Sequence, residues 1–202
     1  MHLSPAELVA FVVAVTFAAG LNVSATLVTI GLVARAGLIV LPAPLDTIGS
    51  WWILGAASAL FVVEVVADKM PALDLLWNTL QTFVRVPAGA LLAYGATAEL
   101  SLTHQLLAAG LGTVVALAAH SGKVASHTAV NLSPEPFSNA AVGLAEDATA
   151  IFLAWFATQH PFMAAAIVCV LLVAIALTLR FVARAVIRLF TAEAAERGRA
   201  PR

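Results

Sequence analysis

The chain has 202 residues, of which 62% are hydrophobic and only 10% are charged, and its formal net charge is −1. Soluble globular domains carry about 25% charged and about 45–50% apolar residues. The composition therefore excludes an ordinary soluble domain, a disordered chain and a basic nucleic-acid-binding protein. It predicts an integral membrane protein that consists mainly of transmembrane helices and contacts the lipid bilayer.

Long stretches without Asp, Glu, Lys or Arg locate the spans. A helix needs about 20 mainly apolar residues to cross a bilayer, and apolar runs such as 164–179 do not alternate as barrel strands do. The sequence therefore predicts an all-α, polytopic bundle of about six helices in one transmembrane domain (1–190), followed by a polar cytoplasmic tail (191–202). The predicted spans are residues 6–34, 50–69, 73–97, 102–128, 138–158 and 161–189.

Polar and helix-breaking features recur in the same order in residues 6–97 and 102–189. Each half has three spans, an odd number, so the two halves would be inverted in the membrane. Inverted halves with broken helices are typical of many secondary transporters. The shared features are a polar break (Gly20, Asn22 and Ser24; then His120, Ser121, Gly122 and Lys123), a proline turn (41–44; then 133–136) and a helix with a carboxylate (Glu64; then Glu146).

Basic residues predict the orientation, because cytoplasmic ends of spans are enriched in Lys and Arg. The sixth span ends in a stripe of Arg180, Arg184 and Arg188, which we interpret as an anchor beside anionic lipid headgroups. That end is predicted to be cytoplasmic, and with six spans the N-terminus is cytoplasmic too. We place the chain in a bacterial inner membrane. Pro87 and Gly89 are predicted to interrupt the third span.

The first group of charges inside the spans surrounds Glu64. A charge at the centre of a span costs at least about 2.5–3.5 kcal/mol, so such residues need partners, water or a function. Glu64 and Asp68 are four residues apart and share a helix face, and Lys69 can neutralise one of them. We interpret Asp68, Lys69 and Asp74 as an interfacial ion-pair cluster. Glu64 lies deepest, and for it a functional role is favoured.

The second group lies in the fourth span. His120, Lys123 and His127 have the i, i+3, i+7 spacing of one helix face. Two imidazoles and an ammonium group are costly against lipid, so this stripe is expected to face protein, a cavity or the cytoplasmic surface. The alternative is a helix end that emerges among the headgroups, where Lys123 extends its amine to the interface.

The third group is Glu146 and Asp147, two turns inside the fifth span. Adjacent side chains on a helix point about 100° apart, so the two carboxylates are expected to have separate partners, such as Lys123 or Arg85. When two carboxylates share a site, the negative charge of one favours the binding of a proton by the other. Such a pair suits a proton carrier.

Two further polar positions have structural interpretations. Arg85 is expected to be a tie, either to the carbonyl that the nearby proline frees or to Glu64 or Glu146. Ser138 or Asn139 is interpreted as the N-cap of the fifth helix.

Together these motifs resemble one membrane family, the domain of unknown function 4126, over most of the chain. The resemblance implies the fold and the choice of site residues, and it implies no reaction. His127 stands where the family pattern implies an arginine. The motifs are Asn22 after Gly20-Leu21, LP at 41–42, VEVVADKMPALDLLWN (63–78), VRVPAGALLA (84–93), His120-x-x-Lys123, Asn131-x-SPEP, and Asn139 followed by ED at 146–147.

The leading hypothesis is a transporter or channel for a small solute or ion, coupled to protons through buried carboxylates. The expected proton- or cation-binding residues are Glu64, Asp68, Glu146 and Asp147. The expected pathway or substrate-binding residues are Asn22, Lys69, Arg85, His120, Lys123, His127, Asn131 and Asn139.

Three alternatives stay open. The chain could translocate an anionic lipid or phosphate, with Lys69, Arg85 and Lys123 meeting the anion. It could be a membrane enzyme with a divalent metal, or a structural subunit whose small residues let helices pack closely. No catalytic residue, cofactor or nucleic-acid partner is predicted, since no H-E-x-x-H, G-x-S-x-G or nucleotide-binding pattern occurs. A homo-oligomer also stays open. The residues considered for the metal are His120, His127, Glu64 and Asp147.

Overall fold

The computed structural model of the chain describes residues 3–131 and 136–197, apart from the side chains of residues 71–75, 131, 136–137, 139, 182 and 185–197. Every regular element in these residues is helical, which confirms the predicted all-α class. A short 3-10 turn, Asp46–Gly49, precedes the third helix. The helices are α1 (Pro5–Leu21), α2 (Val23–Arg35), α3 (Trp51–Ala67), α4 (Pro71–Ala96), α5 (Leu102–Asn131), α6 (Pro136–Gln159) and α7 (Pro161–Arg197).

In the part of the chain that the structure describes, three helices contain segments long and apolar enough to cross a membrane, which supports an integral membrane protein. These segments are Leu102–Val130 in α5, Ala140–Gln159 in α6 and Pro161–Phe181 in α7. α1, α2 and α3 are also apolar but shorter, at 17, 13 and 17 residues. α1 and α2 together occupy the predicted first span, and α3 to α7 occupy the other five. α7 continues to Arg197, into the segment predicted as a polar tail.

The predicted break in the first span is confirmed at Asn22. Its backbone is extended (φ −151°, ψ 103°), so α1 ends and α2 begins there. The Asn22 side-chain oxygen accepts a hydrogen bond from the Ala25 N–H at 2.8 Å, which satisfies one of the donors that a helix start leaves free. Because Asn22 is fully buried, the break places a polar side chain inside the bundle.

The predicted interruptions at Pro87 and at residues 120–123 are wrong. α4 continues through Pro87, and α5 continues through Gly122. An unsatisfied backbone group in lipid costs several kcal/mol, far more than the cost of about 1 kcal/mol for a glycine inside a helix. Gly122 instead makes room for α7, since a Cβ there would lie 2.7 Å from the Cδ1 of Ile175.

α1 is the centre of the bundle and packs against α2, α4, α5, α6 and α7. Its approach to α5 depends on Gly20, where a Cβ would lie 2.5 Å from the carbonyl oxygen of Ala116. α4 approaches the same point of α5 through Gly89, where a Cβ would lie 2.5 Å from the Cβ of Ala116. Small residues of this kind let helices pack closely in a membrane, and here they hold α1 and α4 against α5.

Candidate functional site

Charged side chains from α3, α4, α5 and α6 meet in the interior of the bundle. Most of them are buried, and only the carboxylate of Glu146 is partly exposed, with 13% of its side chain accessible. We call this group the buried ion network. Its members are Glu64, Asp68, Arg85, His120, Lys123, His127, Glu146 and Asp147.

Glu64 binds both permanent cations of the network through one oxygen. Arg85 Nη2 donates to Glu64 Oε1 in a close ion pair, and Lys123 Nζ donates to the same oxygen at 3.0 Å. None of the three side chains is exposed. An isolated ion buried in this way costs several kcal/mol, so the charges of α3, α4 and α5 depend on one another. The tie predicted for Arg85 is thus made to Glu64.

Lys123 lies between carboxylates of α3 and α6. Its Nζ is 3.7 Å from Asp68 Oδ2 and 3.6 Å from Glu146 Oε2. Asp68 packs so closely on α6 that a Cβ at Gly143 would lie 2.5 Å from Asp68 Oδ2. Asp68 ends α3 and makes an ion pair, as its sequence interpretation predicts, but the side chain is buried among the helices, with only 3% of the residue exposed. The next residue, Lys69, is exposed and does not join the described contacts of the network.

The two imidazoles lie at opposite ends of the stripe on α5. His120 Nδ1 is 3.3 Å from Arg85 Nη1, and His120 Nε2 is 2.7 Å from Thr82 Oγ1. A guanidinium group only donates hydrogen bonds, so His120 Nδ1 accepts, which leaves the Nε2 proton for Thr82. His127 Nε2 is 2.9 Å from Glu146 Oε2. His127 therefore contacts a carboxylate at the position where the family pattern implies an arginine.

Asp147 connects the network to the break between α1 and α2. Its Oδ1 accepts a hydrogen bond from Asn22 Nδ2 at 2.7 Å, while the Asn22 oxygen caps α2. Asp147 also interacts electrostatically with Lys123 and Glu64. Glu146 and Asp147 thus have separate hydrogen-bond partners, His127 and Asn22, as their angular separation on the helix predicts, but both interact with Lys123.

Replacing Asn22 with Ala is expected to lower the free energy of unfolding by about 2 kcal/mol. The change removes a helix cap and also leaves the buried carboxylate of Asp147 without a donor. The measurement is unfolding in mixed micelles with increasing SDS, followed by circular dichroism. Ser50→Ala is the matched control, since Ser50 Oγ only caps α3 through the Ile53 N–H. An equal loss in both variants would contradict a separate contribution from Asp147.

Three features predicted from the sequence are not found in the described residues: the roles of two asparagines, the N-cap of α6 and a metal site. The side chains of Asn131 and Asn139 lie outside the described ones. The N-cap interpretation of Ser138 or Asn139 is wrong, because α6 begins at Pro136. Within residues 3–131 and 136–197, no group of three or more His, Cys, Asp or Glu side chains is arranged to hold a metal ion. The metalloenzyme alternative therefore has no ligand set in the described residues.

The polar face of α4 is the main feature that the sequence analysis missed. Asn78, Gln81 and Arg85 are buried on this helix, and Thr82 contacts His120. These four residues follow the i, i+3, i+4, i+7 spacing of one helix face. That spacing is visible in the sequence and was a sufficient signal to place all four in the interior.

The family model described as Domain of unknown function (DUF4126) matches residues 9–181 of the chain. Every member of the buried ion network lies within this range. Comparison with the curated proteins and with the solved structures finds no match.

Proposed function

Starting from a chain that belongs to the family described as Domain of unknown function (DUF4126), we propose a function from the geometry of its interior. The chain is an integral membrane transporter for a small solute or ion, and protons held by its buried carboxylates drive that movement. We place it in a bacterial inner membrane with both termini in the cytoplasm, where the arginines that end the last span would lie.

The charge of the buried ion network is the observation that carries this proposal. Among the described side chains, the four carboxylates and two permanent cations of the network carry a formal charge of −2 before any proton on a carboxylate or an imidazole is counted. Uncompensated charge is costly in an apolar interior. Protons bound to carboxylates, or to His127 beside Glu146, remove this excess without a metal. A network that must exchange protons to change its charge suits a proton-coupled carrier.

The network also joins elements of both sequence halves. Lys123 of α5 contacts Glu64 of α3 at 3.0 Å and Glu146 of α6 at 3.6 Å. α3 and α6 hold corresponding places in the predicted inverted repeat, which we retain as part of the proposal. A change in protonation at either carboxylate would alter the attraction of that half for the shared lysine. Such a contact can couple protons to a relative movement of the halves.

The anionic-lipid or phosphate alternative receives less support from this geometry. Arg85 and Lys123, the buried cations among the described side chains, are paired with Glu64, and the surrounding carboxylates make the site acidic. An anion that entered would meet net negative charge. The structural-subunit alternative accounts for the ion pairs as ties between helices, but it gives no reason for an excess of buried carboxylates.

Replacing Glu146 with Gln is expected to reduce proton movement at least tenfold in proteoliposomes. Gln keeps the shape of the side chain and removes the group that would bind the proton. The measurement follows an internal pH-sensitive dye after addition of a panel of amino acids, sugars, nucleosides and alcohols, with the membrane potential clamped. Glu146 is chosen because its partial exposure makes the substitution easier to tolerate than one at Glu64.

Glu99→Gln is the matched control, because Glu99 is exposed and lies at the end of α4 away from the network. This variant is expected to move protons at the wild-type rate. The proposal fails if Glu146→Gln also keeps that rate. It fails equally if wild-type vesicles take up protons no faster than protein-free vesicles across the whole panel.

A further inference from the structure

The first two helices start and finish at one face of the bundle. A cavity of about 320 Å³ at that face is lined by the start of α1 and by the segment that follows α2. The ends of α4 and α6 line the same cavity, so they reach this face too. We call it the hairpin face. The lining residues of the cavity include Leu3, Leu8, Val40, Leu41, Leu100 and Thr158.

Asn22 is the point at which the chain turns back toward the hairpin face. A continuous helix over residues 5–35 would separate its two ends by about 45 Å. Instead Thr16 of α1 and Ile30 of α2, which lie on either side of Asn22 in the sequence, line one small pocket. With 17 and 13 residues, the two helices are about 26 and about 20 Å long, shorter than the bilayer's hydrocarbon core of about 30 Å. Neither is long enough to cross a bilayer alone, and together they form a hairpin.

The other five helices run between the hairpin face and the opposite face. α4 has 26 residues and ends at the hairpin face, so it starts about 39 Å away, and α3 carries the chain to that start. α5 leaves the hairpin face, α6 returns to it, and α7 leaves it again for 37 residues. Because five crossings are an odd number, the start of α1 and the end of α7 lie at opposite faces.

The hairpin lies between the hairpin face and the buried ion network. α5 runs away from the hairpin face, and Gly20 of α1 packs on Ala116 of that helix, seven residues before Lys123. At the tip of the hairpin, Asn22 donates to Asp147 Oδ1 at 2.7 Å. The tip therefore meets the network on the side that faces the hairpin face.

The packing of α1 leaves little room for a passage past the tip. Residues 14–21 are all buried, and so is Asn22. The small pocket at Thr16 shares Phe11 and Leu45 with the large cavity but holds only about 10 Å³, which is about the room that one water molecule needs. Backbone that leaves the helical conformation at membrane depth is tolerated where protein buries it, and Asn22 meets this condition.

From this arrangement we propose that α1 and α2 are a re-entrant hairpin that closes the buried ion network from the hairpin face. The inference rests on the proposed function for what passes the network, and it names the face that opens during passage. The hairpin bends at Asn22, whose hydrogen bond to Asp147 holds its tip against the network in the closed state.

The hairpin also decides the orientation of the chain. Arg180 and Arg184 lie near the end of α7, on the side of the opposite face. Among the described residues near the hairpin face, the one Lys or Arg is Arg35. Since basic residues are enriched at cytoplasmic ends of spans, the hairpin face is the outer one. The hairpin therefore replaces the cytoplasmic placement of the N-terminus with an outer one and keeps the arginines of α7 in the cytoplasm.

The first test labels single cysteines with a membrane-impermeant maleimide, in bacterial cells with a permeabilised outer membrane and in inverted inner-membrane vesicles. The full chain carries Cys169→Ser, which removes the native thiol. Ser4→Cys and Leu38→Cys are expected to react at least tenfold faster in cells, and Met70→Cys at least tenfold faster in inverted vesicles; all three positions are exposed. A single span over α1 and α2 predicts instead that Ser4→Cys reacts from the face of Met70→Cys. That result, or the same result at the exposed Ala6→Cys if Ser4→Cys does not fold, would overturn the inference.

A second measurement tests the closure. Leu8 lines the large cavity, whereas Thr16 lies eight residues further along α1 and is 1% exposed. A small charged methanethiosulfonate added at the hairpin face is expected to modify Leu8→Cys at least tenfold faster than Thr16→Cys, whose thiol is close in size to the hydroxyl that it replaces. Similar rates at the two positions would reveal an open passage and overturn the closure.

Both labelling measurements are independent of transport. A chain that labels as expected but moves no protons keeps the hairpin and loses the proposed function. A chain that moves protons while Ser4→Cys reacts from the face of Met70→Cys loses the hairpin alone.

Discussion

Replacing Lys123 with Met is expected to lower the free energy of unfolding by about 3–5 kcal/mol. Met has a similar length but no charge, so Asp68 and Glu146 lose their nearby cation and Glu64 keeps only Arg85. Breaking a buried ion pair from one side leaves uncompensated charge in the interior, which is the costly case. The measurement is SDS-induced unfolding in mixed micelles, compared with the wild type under the same conditions.

Lys69→Met is the matched control for this substitution. Lys69 is exposed and directly follows Asp68, so its replacement is expected to change the free energy of unfolding by no more than about 0.5 kcal/mol. The double variant Lys123→Met/Glu146→Gln is expected to recover about 1–2 kcal/mol, because one of the carboxylates that faced Lys123 is replaced by a neutral group. Wild-type stability of Lys123→Met, or a double variant less stable than the single one, would contradict the network as described.

The second large effect is expected at Gly20, where Ala should lower the free energy of unfolding by about 3 kcal/mol. Its Cβ would lie 2.5 Å from the carbonyl oxygen and 2.8 Å from the Cα of Ala116. Both are backbone atoms of α5, which cannot rotate away as a side chain can. The helices would have to separate, and overpacking of this kind costs about 1–3 kcal/mol or more. The same unfolding measurement detects the loss.

Gly110→Ala provides the opposite expectation on the helix that Gly20 contacts. A Cβ at Gly110 would meet nothing within 4 Å, so the substitution is expected to raise the free energy of unfolding by about 0.5–1 kcal/mol through helix propensity. If Gly20→Ala were as stable as Gly110→Ala, the close approach of α1 and α5 would be contradicted.

The substitutions at Lys123 and at Gly20 affect neighbouring parts of the bundle. Gly20 lets α1 lie against α5, and two residues later Asn22 ends α1 beside Asp147 of α6. Displacement of α1 by a methyl group would therefore also disturb the hydrogen bond that joins the helix break to the buried ion network. For this reason Gly20→Ala is expected to reduce proton movement in the proteoliposome measurement as well as stability.

Much of the fold could be predicted from the sequence, because the lipid bilayer allows the backbone few structures. A backbone in lipid must satisfy its own hydrogen bonds, so apolar runs of sufficient length become helices, and charge-free stretches locate them. The break at Asn22 was predictable for a similar reason. Gly20, Asn22 and Ser24 put polar and flexible residues in one turn, and Asn is a strong helix cap.

The same reasoning misjudged Pro87 and Gly122 as interruptions. The local sequence indicates how much free energy a proline or glycine costs inside a helix. Whether the helix nevertheless continues through that residue depends on its packing against neighbouring helices. At Gly122 the neighbouring helix α7 occupies the space that a side chain would need. At Asp68, which ends α3, the close approach of α6 at Gly143 buries the carboxylate, and the local sequence does not indicate that contact.

By itself, the sequence determined that this protein is an all-helical membrane bundle and which ionisable side chains lie within its helices. Those properties depend on composition and on spacing along one helix. Only the tertiary structure decided that Lys123 binds Glu64, 59 residues away, and that Asn22 binds Asp147, 125 residues away. A buried charge accepts any suitable partner, and which partner comes within 3 Å depends on how closely the small residues let the helices approach.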